Sequence, residues 1–194
     1  MSNFKLGLRL FAITAVVALA LAFTNSLTAP VVAENQAKEL KKSLSVVYPA
    51  DSYEELEVDK PETIENVYKA VTADGEGYVF QINSPGGYGG DIEYLIGVDS
   101  DHNITGFAPL VHSESPGFGA EMEQDLFKEG MVGVNMDNEV GYSEAGGENE
   151  IVGISGATIS TTTIVKGIND AREVLAGLKS VSYTHLTLPT SDLV

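Results

Sequence analysis

Residues 77–112, "GYVFQINSPGGYGGDIEYLIGVDSDHNITGFAPLVH", decide the fold class. The runs "GYVFQI", "IEYLIGV" and "ITGFAPLVH" are rich in Val, Ile, Tyr and Phe, and Gly, Asp, Asn or Pro bounds each of them. That is strand composition between turn residues. "DSDHN", between the last two, is a natural hairpin turn. A fourth run, "NVYKAV", stands just upstream. No stretch long enough for a crossover helix separates these strands, so they pair antiparallel. Downstream, "EMEQDLF" predicts one short helix with Met122, Leu126 and Phe127 facing inward. "GVNMDNEVGYSEAGGENE" is Gly- and acid-rich and reads as exposed loop, and "EIVGI" as a last short strand. From Thr161 onward, Ile164, Val165, Ile168, Ala171, Leu175 and Leu178 share one helical face, despite Gly167. The fold class expected is α+β.

Toward the N-terminus, "LFAITAVVALALAFTNSLTAPVVA", Leu10 to Ala33, has no charged side chain. It exceeds the roughly 20 residues that cross a bilayer. Lys5 and Arg9 precede it, which favours a cytoplasmic start. A cleaved secretory signal ending near Val31-Val32-Ala33 competes with an uncleaved anchor, and the length of the apolar run favours the anchor. "ENQAKELKKSLSVVY" then predicts a helix with Ala37, Leu40, Leu44 and Val47 on one stripe, stopped by Pro49. Asp51 to Glu65 is acidic and proline-bearing, and reads as a connection. From Val181, "VSYTHLTLPTSDLV" breaks the helical pattern and resembles a translated sequencing adapter. It is set aside as a non-native tail. The expected organisation is an anchor over 1–33, a membrane-proximal helix and linker over 34–63, a folded domain over 64–180 and the tail over 181–194.

Composition excludes several function classes. The 194 residues carry a formal net charge of -17, where a nucleic-acid binder needs a basic face. Cysteine is absent, which removes disulfides, thiolate metal sites, iron–sulfur clusters and a cysteine nucleophile. No Gly-Lys pair supports a phosphate-binding P-loop, and "GGYGG" has the wrong spacing for a dinucleotide fingerprint. It reads as a flexible hairpin loop. His102 is expected as a solvated turn residue, and neither it nor His112 has a second metal ligand at suitable spacing. A Gly-x-Ser-x-Gly elbow is missing, and no calcium-loop pattern occurs. Neither a catalytic set nor a metal site is expected.

Two loops remain. In "HSESPGFGAE", residues 112–121, Gly and Pro either shape a plain connection or hold Phe118 against a planar ligand. In "VGISGATISTTTIVKGI", residues 152–168, six hydroxyls (Ser155, Thr158, Ser160, Thr161, Thr162 and Thr163) surround a Gly-Ala step where a helix begins. Thr158 or Ser160 capping that helix is one reading. The other is a phosphate at the unpaired amides of the first turn, with Gly156 allowing close approach. With Lys166 about two turns away, such a phosphate relies on amides, hydroxyls or a covalent bond.

Four segments in order, "NSLTAPVVAENQAK", "GYGGDIEYLIGVD", "HSESPGFGAE" and "SGATIST", resemble a known family. It is the FMN-binding domain family of the Rnf ion-translocating electron transport complex, where the domain belongs to the G subunit. The C subunit of the sodium-pumping NADH:quinone reductase is related to it. The resemblance runs from Leu6 to Leu178. It implies a transmembrane helix followed by a small antiparallel-sheet FMN-binding domain, with FMN joined through its phosphate to Thr158. Ser155, Gly156 and Ala157 would shape the attachment loop, with Ser160 and Thr161 near the phosphate. Glu114, Ser115, Pro116, Gly117, Phe118 and Gly119 would border the flavin ring. Ser115 and Phe118 stand where the family often has Thr and Leu. A separate flavin transferase, using FAD and magnesium, would make the bond. The partners implied are the other membrane subunits of an Rnf-type complex and membrane lipid, with the domain on the outer face of the inner membrane. A component of the sodium-pumping reductase, a free-standing flavoprotein and a cofactor-free tethered scaffold remain as alternatives.

Overall fold

The computed structural model describes residues 3–73 and 75–184. The chain divides into two compact units that part between Lys42 and Ser43.

Helix α1 spans Asn3–Val47 and contains Pro30, so the predicted membrane-proximal helix is the continuation of the first one. It ends at Val47, two residues before Pro49. Within its apolar part, hydroxyl side chains bond back to the preceding turn. Thr14 donates to the Leu10 carbonyl at 3.1 Å, Thr24 to Ala20 at 2.9 Å and Thr28 to Thr24 at 3.0 Å. Polar atoms satisfied within their own helix suit a lipid environment. By length and composition α1 can cross a membrane.

The second unit is built on a five-stranded antiparallel meander. Its strands are β1 (Ser52–Glu55), β2 (Ile64–Thr72), β3 (Gly75–Ser84), β4 (Ile92–Val98) and β5 (Ile104–Val111), in that spatial order. The antiparallel expectation holds. β1 is a correction, because part of the acidic connection pairs with β2, Ser52 opposite Val71. The 99–103 turn closes through Asp99 N–H to the Asn103 carbonyl at 3.0 Å. His102 is not simply solvated there: Nδ1 lies 2.9 Å from Asp137 Oδ1, and the side chain is 16% exposed.

One face of the sheet carries the core. Phe80 opposes Ile96 and Ile82 opposes Tyr94, all fully buried. Against them lies α3 (Thr158–Thr184), whose Ile164, Val165, Ile168, Ala171, Val174 and Leu175 are buried, with Leu178 at the edge. Its backbone passes the composition break at Val181 and reaches Thr184. The rest of the tail expected as non-native lies outside the described residues. Tyr94 fixes the helix to the sheet: its buried phenol donates to the Ile164 carbonyl at 2.7 Å and lies 3.3 Å from Ser84 Oγ. Gly167 is where helix and hydroxyls meet, since a Cβ there would run into Ser84 Oγ and the Tyr94 oxygen.

The other face receives the end of α1. Gly97 and Gly106 pair across β4 and β5, and a Cβ on Gly106 would stand 2.7 Å from Val47 Cα. Thr105 Oγ1 donates to the Val47 carbonyl at 2.7 Å.

After β5 the expected single helix is a 3-10 turn, Gly119–Glu123, then α2 (Asp125–Glu129). Met122 and Phe127 face inward as expected, but Leu126 is 83% exposed, because the break at Gln124 resets the helical phase. The segment read as exposed loop buries Val134, Met136 and Val140. It also holds β6 (Gly141–Ser143), paired in parallel with β7 (Glu150–Val152). Asn169 clamps it to α3 by accepting from Val140 N–H at 3.0 Å and donating to the Val140 carbonyl at 2.9 Å.

Candidate functional site

The two loops left open by sequence meet. Together with the 86–90 turn they enclose a cleft of about 490 Å³. This is within the ~300–1,000 Å³ usual for cofactor pockets. Tyr88, Glu114, Ser115, Phe118, Gly119, Gly156, Ala157, Thr158, Ile159 and Ser160 line it.

Leaving β7, the chain turns at Gly156, whose φ of +73° disfavours a side chain. Ala157 N–H bonds the Ile154 carbonyl at 3.0 Å, and α3 starts at Thr158. The capping expectation is corrected here. Thr158 is the first helical residue, so the residue before the helix is Ala157, which has no capping oxygen. The Ser160 hydroxyl points elsewhere, donating to Glu114 Oε2 at 2.7 Å. Thr161 is wholly buried; its Oγ1 accepts from Ile154 N–H and donates to the Ala157 carbonyl, both at 3.0 Å. Thr162 donates to the Thr158 carbonyl at 2.8 Å and meets the Tyr142 hydroxyl at 2.9 Å. Thr158 itself is exposed in the cleft, at the end of α3 where amides are unpaired and the helix dipole is positive.

Glu114 organises the opposite wall. It is 8% exposed, yet its carboxylate has two donors: Ser160 Oγ at 2.7 Å and Gly89 N–H at 3.1 Å. Charge-assisted bonds of this kind offset the cost of burying a carboxylate. Gly119 is pressed so close that a Cβ would meet Glu114 Oε2 and stand 2.6 Å from Ser160 Oγ. Two residues upstream, His112 Nδ1 accepts from Glu114 N–H at 3.3 Å and Nε2 lies 2.8 Å from Glu123 Oε1. Phe118, 55% exposed, lies over Gly156: a Cβ there would be 3.4 Å from its ring.

Of the residues singled out by sequence, Glu114, Ser115, Phe118, Gly119, Gly156, Ala157, Thr158 and Ser160 share the cleft. Pro116 and Gly117 form the turn carrying Phe118, closed by Phe118 N–H to the Ser115 carbonyl at 3.2 Å. Ser155 is exposed in the turn before α3, and Thr161 lies inside it. Tyr88 and Ile159 were missed. The signal for Tyr88 was available, one aromatic kept between two glycine pairs, but the loop's composition masked it. Among the described residues no group of His, Asp and Glu is arranged to hold a metal.

The fold presents a cleft of cofactor size, and similarity to known proteins specifies the class of domain. Residues 87–173 match the FMN-binding domain and residues 2–47 the RnfG N-terminal region. The G subunit of the Na(+)-translocating ferredoxin:NAD(+) oxidoreductase complex of Acetobacterium woodii is 32% identical over 193 residues, covering 90% of this chain and 92% of that protein. The G subunit of the ion-translocating oxidoreductase complex of Methanosarcina acetivorans is 33% identical, covering 86% of this chain and 91% of that protein. A solved structure, the C subunit of the Na(+)-translocating NADH-quinone reductase of Parabacteroides distasonis, is 26% identical with a TM-score of 0.48, over 58% of this chain and 59% of that one. This chain belongs to the family of Rnf complex G subunits.

Proposed function

We propose that this chain is a membrane-anchored electron-transfer subunit of an ion-translocating ferredoxin:NAD oxidoreductase complex, carrying FMN as a phosphoester on Thr158. The observation carrying the attachment is the Thr158 hydroxyl, exposed at the first residue of α3 in a cleft whose lining has no Lys or Arg among the described residues. Among the described residues that line it, Glu114 alone is charged. A phosphate monoester brings about −1.5 to −2 charges at pH 7. Esterified at both ends it keeps one ionisable oxygen, so repulsion from Glu114 is smaller and loss to solvent is prevented. The amides of the first turn face that charge.

The cofactor supplies the one-electron and two-electron chemistry. The chain's own groups bind and orient it. Gly156 and Ala157 leave room at the attachment point, Phe118 offers an aromatic surface, and Ser160 and Glu114 tie the two walls together. A histidine-linked flavin is disfavoured because both ring nitrogens of His112 have partners. The anchor is α1, with its hydroxyls satisfied internally and Lys5 and Arg9 on the cytoplasmic side. The folded unit then stands on the outer face, where the other membrane subunits of the complex are its partners. A separate flavin transferase loads it.

The test is co-expression of the full chain with a flavin transferase, read by intact mass and by fluorescence after denaturing electrophoresis. Wild type and His112→Ala carry the flavin, and Thr158→Ala does not. A colourless wild type, or a labelled Thr158→Ala, overturns the reading.

A further inference from the structure

The "GGYGG" turn between β3 and β4 is not a loose connection. Gly89 N–H donates to Glu114 Oε1 at 3.1 Å, and Gly90 N–H bonds the Gly87 carbonyl at 3.3 Å. A Cβ on Gly87 would stand 2.5 Å from the Gly90 carbonyl oxygen and 2.7 Å from Glu114 Oε1. One on Gly89 would collide with the Ser113 carbonyl and lie 3.0 Å from Glu114 N. The glycines therefore let this turn lie directly on the 113–114 backbone. Its one remaining side chain, Tyr88, lines the cleft while being 73% exposed. A large aromatic at that exposure, on a backbone latched by a buried carboxylate, is a surface held ready for something planar. The same carboxylate accepts from Ser160, two residues beyond Thr158, so one group sets Tyr88 and the attachment turn relative to each other.

We propose that Tyr88 contacts the flavin ring of the loaded protein as an aromatic wall additional to Phe118, and that Glu114 is the positioning residue that holds it there. This rests on the attachment proposed above. A phenol against an excited flavin quenches it by lending an electron that returns on relaxation. A fixed aromatic neighbour also gives the flavin's visible bands a circular dichroism signal. Neither readout depends on electron-transfer activity of the complex.

The experiment uses the full chain loaded in cells by co-expressed flavin transferase, with fluorescence and visible circular dichroism expressed per covalently bound flavin. Partial loading of a variant then leaves the comparison intact. Tyr88→Leu is expected to raise fluorescence at least threefold and to lose more than half of the visible dichroism. Tyr88→Phe, which keeps the ring but not the electron-rich phenol, raises fluorescence while retaining the dichroism. Glu114→Gln moves both readouts part of the way toward Tyr88→Leu, and Tyr142→Phe, outside the cleft, moves neither. Wild-type values for Tyr88→Leu on a flavinylated chain overturn this inference and leave the attachment standing. A wild type without covalent flavin overturns the attachment instead.

Discussion

Replacing Gly167 by Ala tests how α3 is fixed to the sheet. In an exposed helix interior the substitution stabilises by about 1 kcal/mol, because Ala has the better propensity. Here the added Cβ would overlap Ser84 Oγ and the Tyr94 phenol oxygen and stand 2.8 Å from Ile82 Cγ2. Relief requires Tyr94 to withdraw from the Ile164 carbonyl, and a lost buried hydrogen bond costs about 1–3 kcal/mol. Forcing a methyl into a packed core adds about 1–3 kcal/mol. Setting the propensity gain against both leaves a net loss of roughly 1–5 kcal/mol. Urea denaturation of the full chain in detergent, followed by tyrosine fluorescence, measures it. Combining Gly167→Ala with Tyr94→Phe and Ser84→Ala removes the two oxygens and should recover much of the loss. A Gly167→Ala chain as stable as wild type, or more so, refutes the reasoning.

Other perturbations follow from the same contacts. Ser160→Ala leaves the buried Glu114 carboxylate one donor short and should cost about 1.5–3 kcal/mol in the same denaturation, with a coupling of at least about 1 kcal/mol in a double-mutant cycle with Glu114→Gln. Gly97→Ala places a methyl against the Val47 carbonyl and should lower stability by about 1–3 kcal/mol while speeding amide exchange around residues 44–48. Burial pushes the Tyr94 phenol well above its ordinary value near 10. The folded chain then keeps a proton that the unfolded chain loses, so this contribution is complete below pH 10. It falls by up to about 1.4 kcal/mol per pH unit above pH 10, and Tyr94→Phe should flatten that slope by one proton.

The meander was legible because its turns are short and its runs strand-like; residues 64–111 leave no space for a crossover, and the pairing follows. The face of α3 was legible too, since Ile164, Ile168, Ala171 and Leu175 obey one period. Sequence likewise picked out both loops that meet in the cleft. What it could not show were relations between distant positions. Gly167 looked like a weak point in a helix until Tyr94, 73 residues earlier in number, was found beneath it. Glu114 stood in an acidic, turn-rich segment with no sign that Ser160 and Gly89 would donate to it. "GGYGG" reads as slack chain by composition and becomes a fixed platform only when Ser113 and Glu114 lie against it. Val134, Met136 and Val140 are too irregularly spaced to announce a core. Local sequence determines backbone preference and periodicity, which act over a few bonds. Sterics and buried hydrogen bonds between segments dozens of residues apart were decided by tertiary packing alone.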